Sequence, residues 1–197
     1  MAFITARERG FKIDAGNLQT QLQFTADFLA KGRVNYLQGK GQGGQAFTAG
    51  SALWTLKLGS SKPDANTEAV VEYLLGHQKE LGHWKPPSIR PPSEESPFSA
   101  TFFALESIQH FRTSSEHDPA TPGLVQVPDW LLKTPAQNTE DRVFRLWAIH
   151  SVSANTKSAA QDLLRTQRED GGWSQLESMP SDAYATGTAL VALHRTG

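Results

Sequence analysis

The chain has 197 residues, 38% of them hydrophobic and 20% charged, with a formal net charge of −1, the composition of a globular domain. There is no basic excess to meet a phosphate backbone, which argues against nucleic acid as a partner, and no apolar run approaches the ~20 residues that a membrane span needs. Cysteine is absent, so disulfides, thiolate nucleophiles and Cys-containing zinc sites are excluded.

The predicted elements are helices. Leu18, Leu22, Thr25 and Leu29 follow the stripe of one helix face within a first helix at 14–37. The Gly-rich stretch 38–44 interrupts the period, and a second helix covers 45–58. Pro63-Asp64 opens a third at 64–80, carrying Val70, Val71, Leu74 and Leu75. Residues 85–97 hold five of the eleven prolines and form a non-helical excursion. Ser96-Pro97 then places a capping residue before a proline suited to the first turn, opening a helix at 97–111. Further helices are expected at 124–134, 140–152 and 156–168, and Ser181-Asp182 starts the last at 182–195. Strands are unsupported, since no period-two alternation is sustained. Residues 1–197 read as a single domain.

The helices repeat in pairs. Leu74-Leu75-Gly-His-Gln78-Lys-Glu-Leu-Gly82-His-Trp84 and Leu163-Leu164-Arg-Thr-Gln167-Arg-Glu-Asp-Gly171-Gly-Trp173 share the pattern Leu-Leu-x-x-Gln-x3-Gly-x-Trp, with degenerate copies at 36–44 and 131–140. Between them runs a second pattern anchored on Leu53, Leu105, Leu146 and Leu190, which lie 52, 41 and 44 residues apart. That period belongs to helix-pair repeats. In the shared pattern glutamine can satisfy backbone groups at a helix end, glycine allows the turn, and tryptophan covers the next hairpin.

Gln-x3-Gly-x-Trp at a helix end resembles the repeat motif of the squalene–hopene cyclase, oxidosqualene cyclase and protein prenyltransferase superfamily. The segments Gln42-Gly-Gly-Gln45, Arg90-Pro-Pro-Ser-Glu-Glu-Ser96, Glu140-Asp-Arg-Val-Phe-Arg145 and Ser181-Asp-Ala-Tyr-Ala-Thr-Gly187 look similar to bacterial cyclase-repeat proteins. The resemblance implies an all-α, α/α-toroid arc of about four hairpins, fewer than the six of a closed toroid, with outer and inner helices alternating around a concave cavity. An open arc exposes apolar end faces, so the expected completion is a homodimer or further C-terminal hairpins. The family's chemistry does not carry over. The Asp-x-Asp-Asp and Asp-Asp-x-x-Asp runs of terpenoid cyclases and synthases are missing, and no cysteine is present for a prenyltransferase zinc site. No cofactor or metal is expected.

The loops entering the inner helices carry the chemically loaded residues. Asp182, Glu140 and Asp141 are the candidate general acids or bases. Tyr184, Arg142 and Glu95 are candidate substrate contacts, with Arg142 orienting an anion. Trp54, Phe102 and Trp147, on inner helices, offer π faces to a bound apolar or amphipathic small molecule. Each has a simpler reading: acidic residues are favoured as caps in first turns, and aromatics at helical spacing pack cores. His77, Glu80 and His83, and the triplet Glu116-His117-Asp118, lack metal-ligand geometry. A non-catalytic interaction scaffold and a hydrolase or lyase using rim carboxylates are the alternative functions. The amino terminus lacks a signal-peptide core, so the expected location is the cytoplasm, or the periplasm if a leader has been removed.

Overall fold

The computed structural model describes residues 2–78, 82–92, 94–113 and 122–197. Glu80 and the Glu116-His117-Asp118 triplet lie outside the described residues. Among the described residues there are ten helices and no strand, and Arg90 and Glu94 form an isolated antiparallel bridge. The helices are α1 (Ala2–Glu8), α2 (Ala15–Leu37), α3 (Gln45–Leu58), α4 (Ala65–Gly76), α5 (Pro97–Phe111), α6 (Pro122–Val125), α7 (Val127–Lys133), α8 (Thr139–Ser151), α9 (Lys157–Leu164) and α10 (Ala183–Thr196). The chain is all-α, and none of the described helices is long and apolar enough to cross a membrane.

Helix starts follow the capping residues. Asp64 accepts from the amides of Asn66 and Thr67, while the Thr67 hydroxyl accepts from the Asp64 amide, a reciprocal capping box. Ser96 accepts from the amides of Phe98 and Ser99 with Pro97 in the first turn of α5. Asn138 caps α8 through the Asp141 amide, and Asp182 caps α10 through the amides of Tyr184 and Ala185.

Three departures from the sequence expectation have local causes. The helix α1 precedes the first one expected; its seven residues are too few for an apolar stripe to announce them. The element expected at 124–134 is two short helices that break at Gln126, ahead of Pro128, which cannot donate an amide and sits in the first turn of α7. Helix α9 stops at Leu164 instead of running to 168, because Arg168 turns back to donate its amide to the Gly172 carbonyl at 3.0 Å.

Helices α3, α5, α8 and α10 pack one on the next in that order. Helix α2 lies against α3 and α4, α4 against α3 and α5, α7 against α8, and α9 against both α8 and α10. Gly50 marks the closest approach of α3 and α5: a Cβ there would stand 2.9 Å from the Ala104 nitrogen, and the buried Ser107 hydroxyl donates to the Gly50 carbonyl at 2.9 Å. One hydrophobic cluster runs from Leu29 on α2 to Ala192 on α10. Within it Trp54, Phe102, Phe103, Phe144 and Trp147 stack edge-on and tilted with centroids 5.1–5.6 Å apart. Helix α2, which lies on α3, and α10, the last of that order, expose apolar side chains, Phe24 and Phe28 on the one and Leu190 and Val191 on the other.

The two copies of the repeated pattern have the same geometry. The Trp84 indole N–H donates to the Leu74 carbonyl at 2.8 Å, and the Trp173 indole N–H to the Leu163 carbonyl at 3.0 Å. Both rings are 1% exposed. The Trp84 amide is held by the Thr101 hydroxyl at 3.0 Å, the Trp173 amide by the Thr186 hydroxyl at 2.9 Å. Gly82 and Gly171 both take positive φ, +86° and +83°, which glycine adopts without the Cβ penalty. Each copy thereby ties the end of one helix to the first turns of the next, α4 to α5 and α9 to α10. The glutamines diverge: Gln167 donates to the Gly171 carbonyl at 2.8 Å, whereas Gln78 packs against Gly123 and its buried amide nitrogen has no hydrogen-bond partner among the described residues.

Candidate functional site

The N-terminal ends of α8 and α10 are brought side by side by this packing. Between them opens a cleft of about 290 Å³. Its apolar walls come from Pro91 and Pro92, from Leu176 and Met179 in the loop before α10, and from Ala185. Its polar groups are Glu95, Asn138, Thr139, Glu140, Gln175, Tyr184 and Thr188. Leu176 and Met179 are 48% and 39% exposed, so the mouth is apolar and open to solvent.

Glu140 is the chemically distinctive group. It sits one residue into α8 and is 5% exposed. Both its carboxyl oxygens accept from the Tyr184 hydroxyl, at 3.0 and 3.1 Å, and no cation pairs with it among the described residues. Taking an unpaired carboxylate out of water is costly. Burial accordingly pushes its pKa up to about 7, with the Tyr184 hydrogen bond pulling it down and the neighbouring Asp141 charge pushing it up. The Tyr184 phenol is raised in turn, first by burial and then by the adjacent Glu140. The pair therefore exchanges one proton in the neutral range, with the phenol remaining protonated.

The other acidic candidates hold backbone. Asp141 Oδ2 accepts from the Gln137 amide at 2.9 Å. Asp182 Oδ1 carries the two amides of the α10 cap, while its Oδ2 is buried with no hydrogen-bond partner among the described residues. Glu95 is exposed and lines the same cleft as Glu140. Arg142 does not: its Nε lies 3.5 Å from Asp162 on α9. With Arg165 and Arg168 it lines a second, polar recess of about 350 Å³ that adjoins the cleft through Asn138, Thr139 and Gln175. Trp54, Phe102 and Trp147 are 9%, 5% and 5% exposed and pack on one another, away from the cleft lining.

Of the residues singled out from sequence, the fold brings Glu95, Glu140 and Tyr184 together in one cleft. Sequence reasoning missed Asn138, Thr139, Gln175, Leu176, Met179 and Thr188. Thr188 was accessible by helix arithmetic, being four residues after Tyr184 and so on the same face of α10. Residues 175–179 belong to a non-periodic loop and carry no such signal. Among the described residues no group of three His, Cys, Asp or Glu side chains could hold a metal ion. Comparison with protein-family models, curated proteins and solved structures finds no match to any of them.

Proposed function

We propose that the protein is a squalene cyclase-like α/α-toroid repeat protein that binds a small amphipathic molecule in the cleft between α8 and α10. The paired tryptophan-to-carbonyl bonds at Trp84 and Trp173 and the ordered packing of α3, α5, α8 and α10 support the repeat architecture. The observation that carries the binding reading is a 95%-buried position for an unpaired carboxyl, Glu140, at an otherwise largely apolar cleft open at its mouth. Concave, mostly apolar sites with a few convergent polar groups and a shifted pKa are where proteins hold small molecules. A cavity of 150 Å³ lined by apolar side chains is enough for benzene, so about 290 Å³ suits a ring with a short arm.

The binding reading rests on this rim and not on the inner-helix aromatics, whose faces are occupied by one another. With the Asp-x-Asp-Asp run missing, alkene protonation of the cyclase kind has no donor of that type, and Glu140 serves as a reversible proton holder at the ligand's polar end. The chain has two methionines, Met1 and Met179, so ε-methyl labelling gives a single reporter inside the cleft. Titration with 4-phenylbutanol should move the Met179 methyl resonance saturably and leave Met1 in place. No movement in wild type, with Leu176→Asp equally silent, would remove the cleft from consideration as a ligand site.

A further inference from the structure

Among the described residues, the lining of the cleft contains two carboxyl groups, Glu95 and Glu140, and no lysine, arginine or histidine. Asp182 stands at the start of α10 beside Tyr184, and Asp141 follows Glu140 on α8, so further negative charge lies behind the same wall. The positive ends of the α8 and α10 dipoles oppose this field, though Asn138 already accepts from one first-turn amide of α8 and Asp182 from two of α10. The arginines nearest in sequence have other carboxylate partners: Arg90 approaches Glu94 at 3.4 Å, Arg142 and Arg145 approach Asp162 at 3.5 and 3.9 Å, and Arg145 also donates to the carbonyls of Leu131 and Leu132. The adjoining recess carries Arg142, Arg165 and Arg168 against one carboxylate, Glu177, whereas the charged groups lining this cleft are both carboxyls.

We propose that the occupant of the cleft is an organic cation, a protonated amine on a compact apolar body, whose ammonium group is received by Glu140 and Glu95 while its hydrocarbon lies against Leu176, Met179 and the Tyr184 ring. The proposal rests on the binding reading given above and narrows it to a class. A buried carboxyl with one neutral donor either keeps its proton or takes a cation. The ammonium supplies that cation, with donors for carboxyl lone pairs that Tyr184 leaves open. The Tyr184 ring, part of the lining, adds an aromatic face that favours a cation further. A carboxylate or phosphate head group would meet like charge from Glu95 and Glu140.

The test is a matched series sharing one body: 4-phenylbutylamine, 4-phenylbutanol and 4-phenylbutyrate, each titrated while the Met179 methyl is observed. At pH 8 the amine should bind at least ten-fold more tightly than the alcohol, and the butyrate should not perturb Met179. Glu140→Gln should abolish the preference for amine over alcohol, and a cooperative thermal unfolding transition retained by the variant separates loss of the charge from loss of the fold. Glu95→Gln, at an exposed position, should reduce the preference by a smaller factor. Calorimetry in buffers of different ionisation enthalpy should show a proton released at pH 6 on amine binding, as Glu140 ionises against the ammonium. If the alcohol or the butyrate binds as tightly as the amine, the cation assignment is overturned and the cleft remains a ligand site. If none of the three moves Met179, both readings fall.

Discussion

The Tyr184 hydroxyl, near the start of α10, bridges both carboxyl oxygens of Glu140, near the start of α8, at 3.0 and 3.1 Å. It is the one hydrogen-bond donor to that carboxyl among the described residues, and it joins two helices 44 positions apart in the chain. A group in this setting couples folding to pH. Burial pushes Glu140 up to about 7 in the folded chain from an ordinary value of 4.5. Its folded pKa is the higher one, so the native state binds the extra proton between these values. Stability is fully retained below pH 4.5 and falls as pH rises through 7. The loss integrates to about 3 kcal/mol. Denaturant unfolding of Glu140→Gln should lack this component, so the variant gains on wild type by about that amount between pH 4.5 and 8. Parallel pH profiles for the two proteins would mean that Glu140 is ordinarily solvated.

Removing the phenol oxygen acts in the opposite sense. Tyr184→Phe leaves the carboxylate without its donor, so the Glu140 pKa should rise further above 7. A hydrogen bond to a charged group contributes about 1.5–3 kcal/mol and one between neutral groups about 1 kcal/mol. The variant should therefore be destabilised more at pH 8, where Glu140 is ionised, than at pH 5, where it is protonated. Chemical denaturation at the two pH values checks the difference; an equal cost at both would show that the phenol packs beside the carboxyl without bonding to its ionised form.

The repeat turns give a second, independent contrast. Gly82 and Gly171 have nearly the same backbone, φ +86° and +83°, yet different surroundings. A Cβ on Gly82 would stand 2.9 Å from the Gln126 carbonyl oxygen and 2.9 Å from Trp130 Cβ, whereas one on Gly171 meets nothing within 4 Å. Gly171→Ala should cost only the left-handed backbone penalty, roughly 1–2 kcal/mol. Gly82→Ala should cost that plus a backbone displacement against α7, in total about 3 kcal/mol or more. Thermal or urea unfolding of the two variants decides it, and equal losses would mean that the neighbourhood of Gly82 yields freely.

The helices were legible because their signals are local. Asp64, Ser96 and Asp182 announce starts that the fold uses as caps, and the Leu-Leu-x-x-Gln-x3-Gly-x-Trp pattern marks two turns that share their bonding. What the sequence could not show was how the loaded residues divide their work. Glu140 and Asp141 are adjacent in the chain and equally buried, yet one faces a cleft and the other binds an amide. That division depends on which way each side chain leaves the first turn of α8 and on what α10 brings opposite it. Arg142 likewise reads as an anion contact until α9 places Asp162 beside it. The cleft itself is completed by residues 175–179, a loop without periodicity, so its apolar mouth had no signature to read.

The most direct test of the whole account is the ionisation of Glu140 itself. With ¹³C-carboxyl-labelled glutamate, and Glu140→Gln to assign the resonance, the carboxyl shift can be followed from pH 4 to pH 9 in the ligand-free protein. The midpoint should lie near 7, moving upward in Tyr184→Phe and downward when 4-phenylbutylamine occupies the cleft. A midpoint in the ordinary carboxylate range, about 4–5, unchanged by either perturbation, would contradict the buried, unpaired carboxyl on which the cleft's function is built.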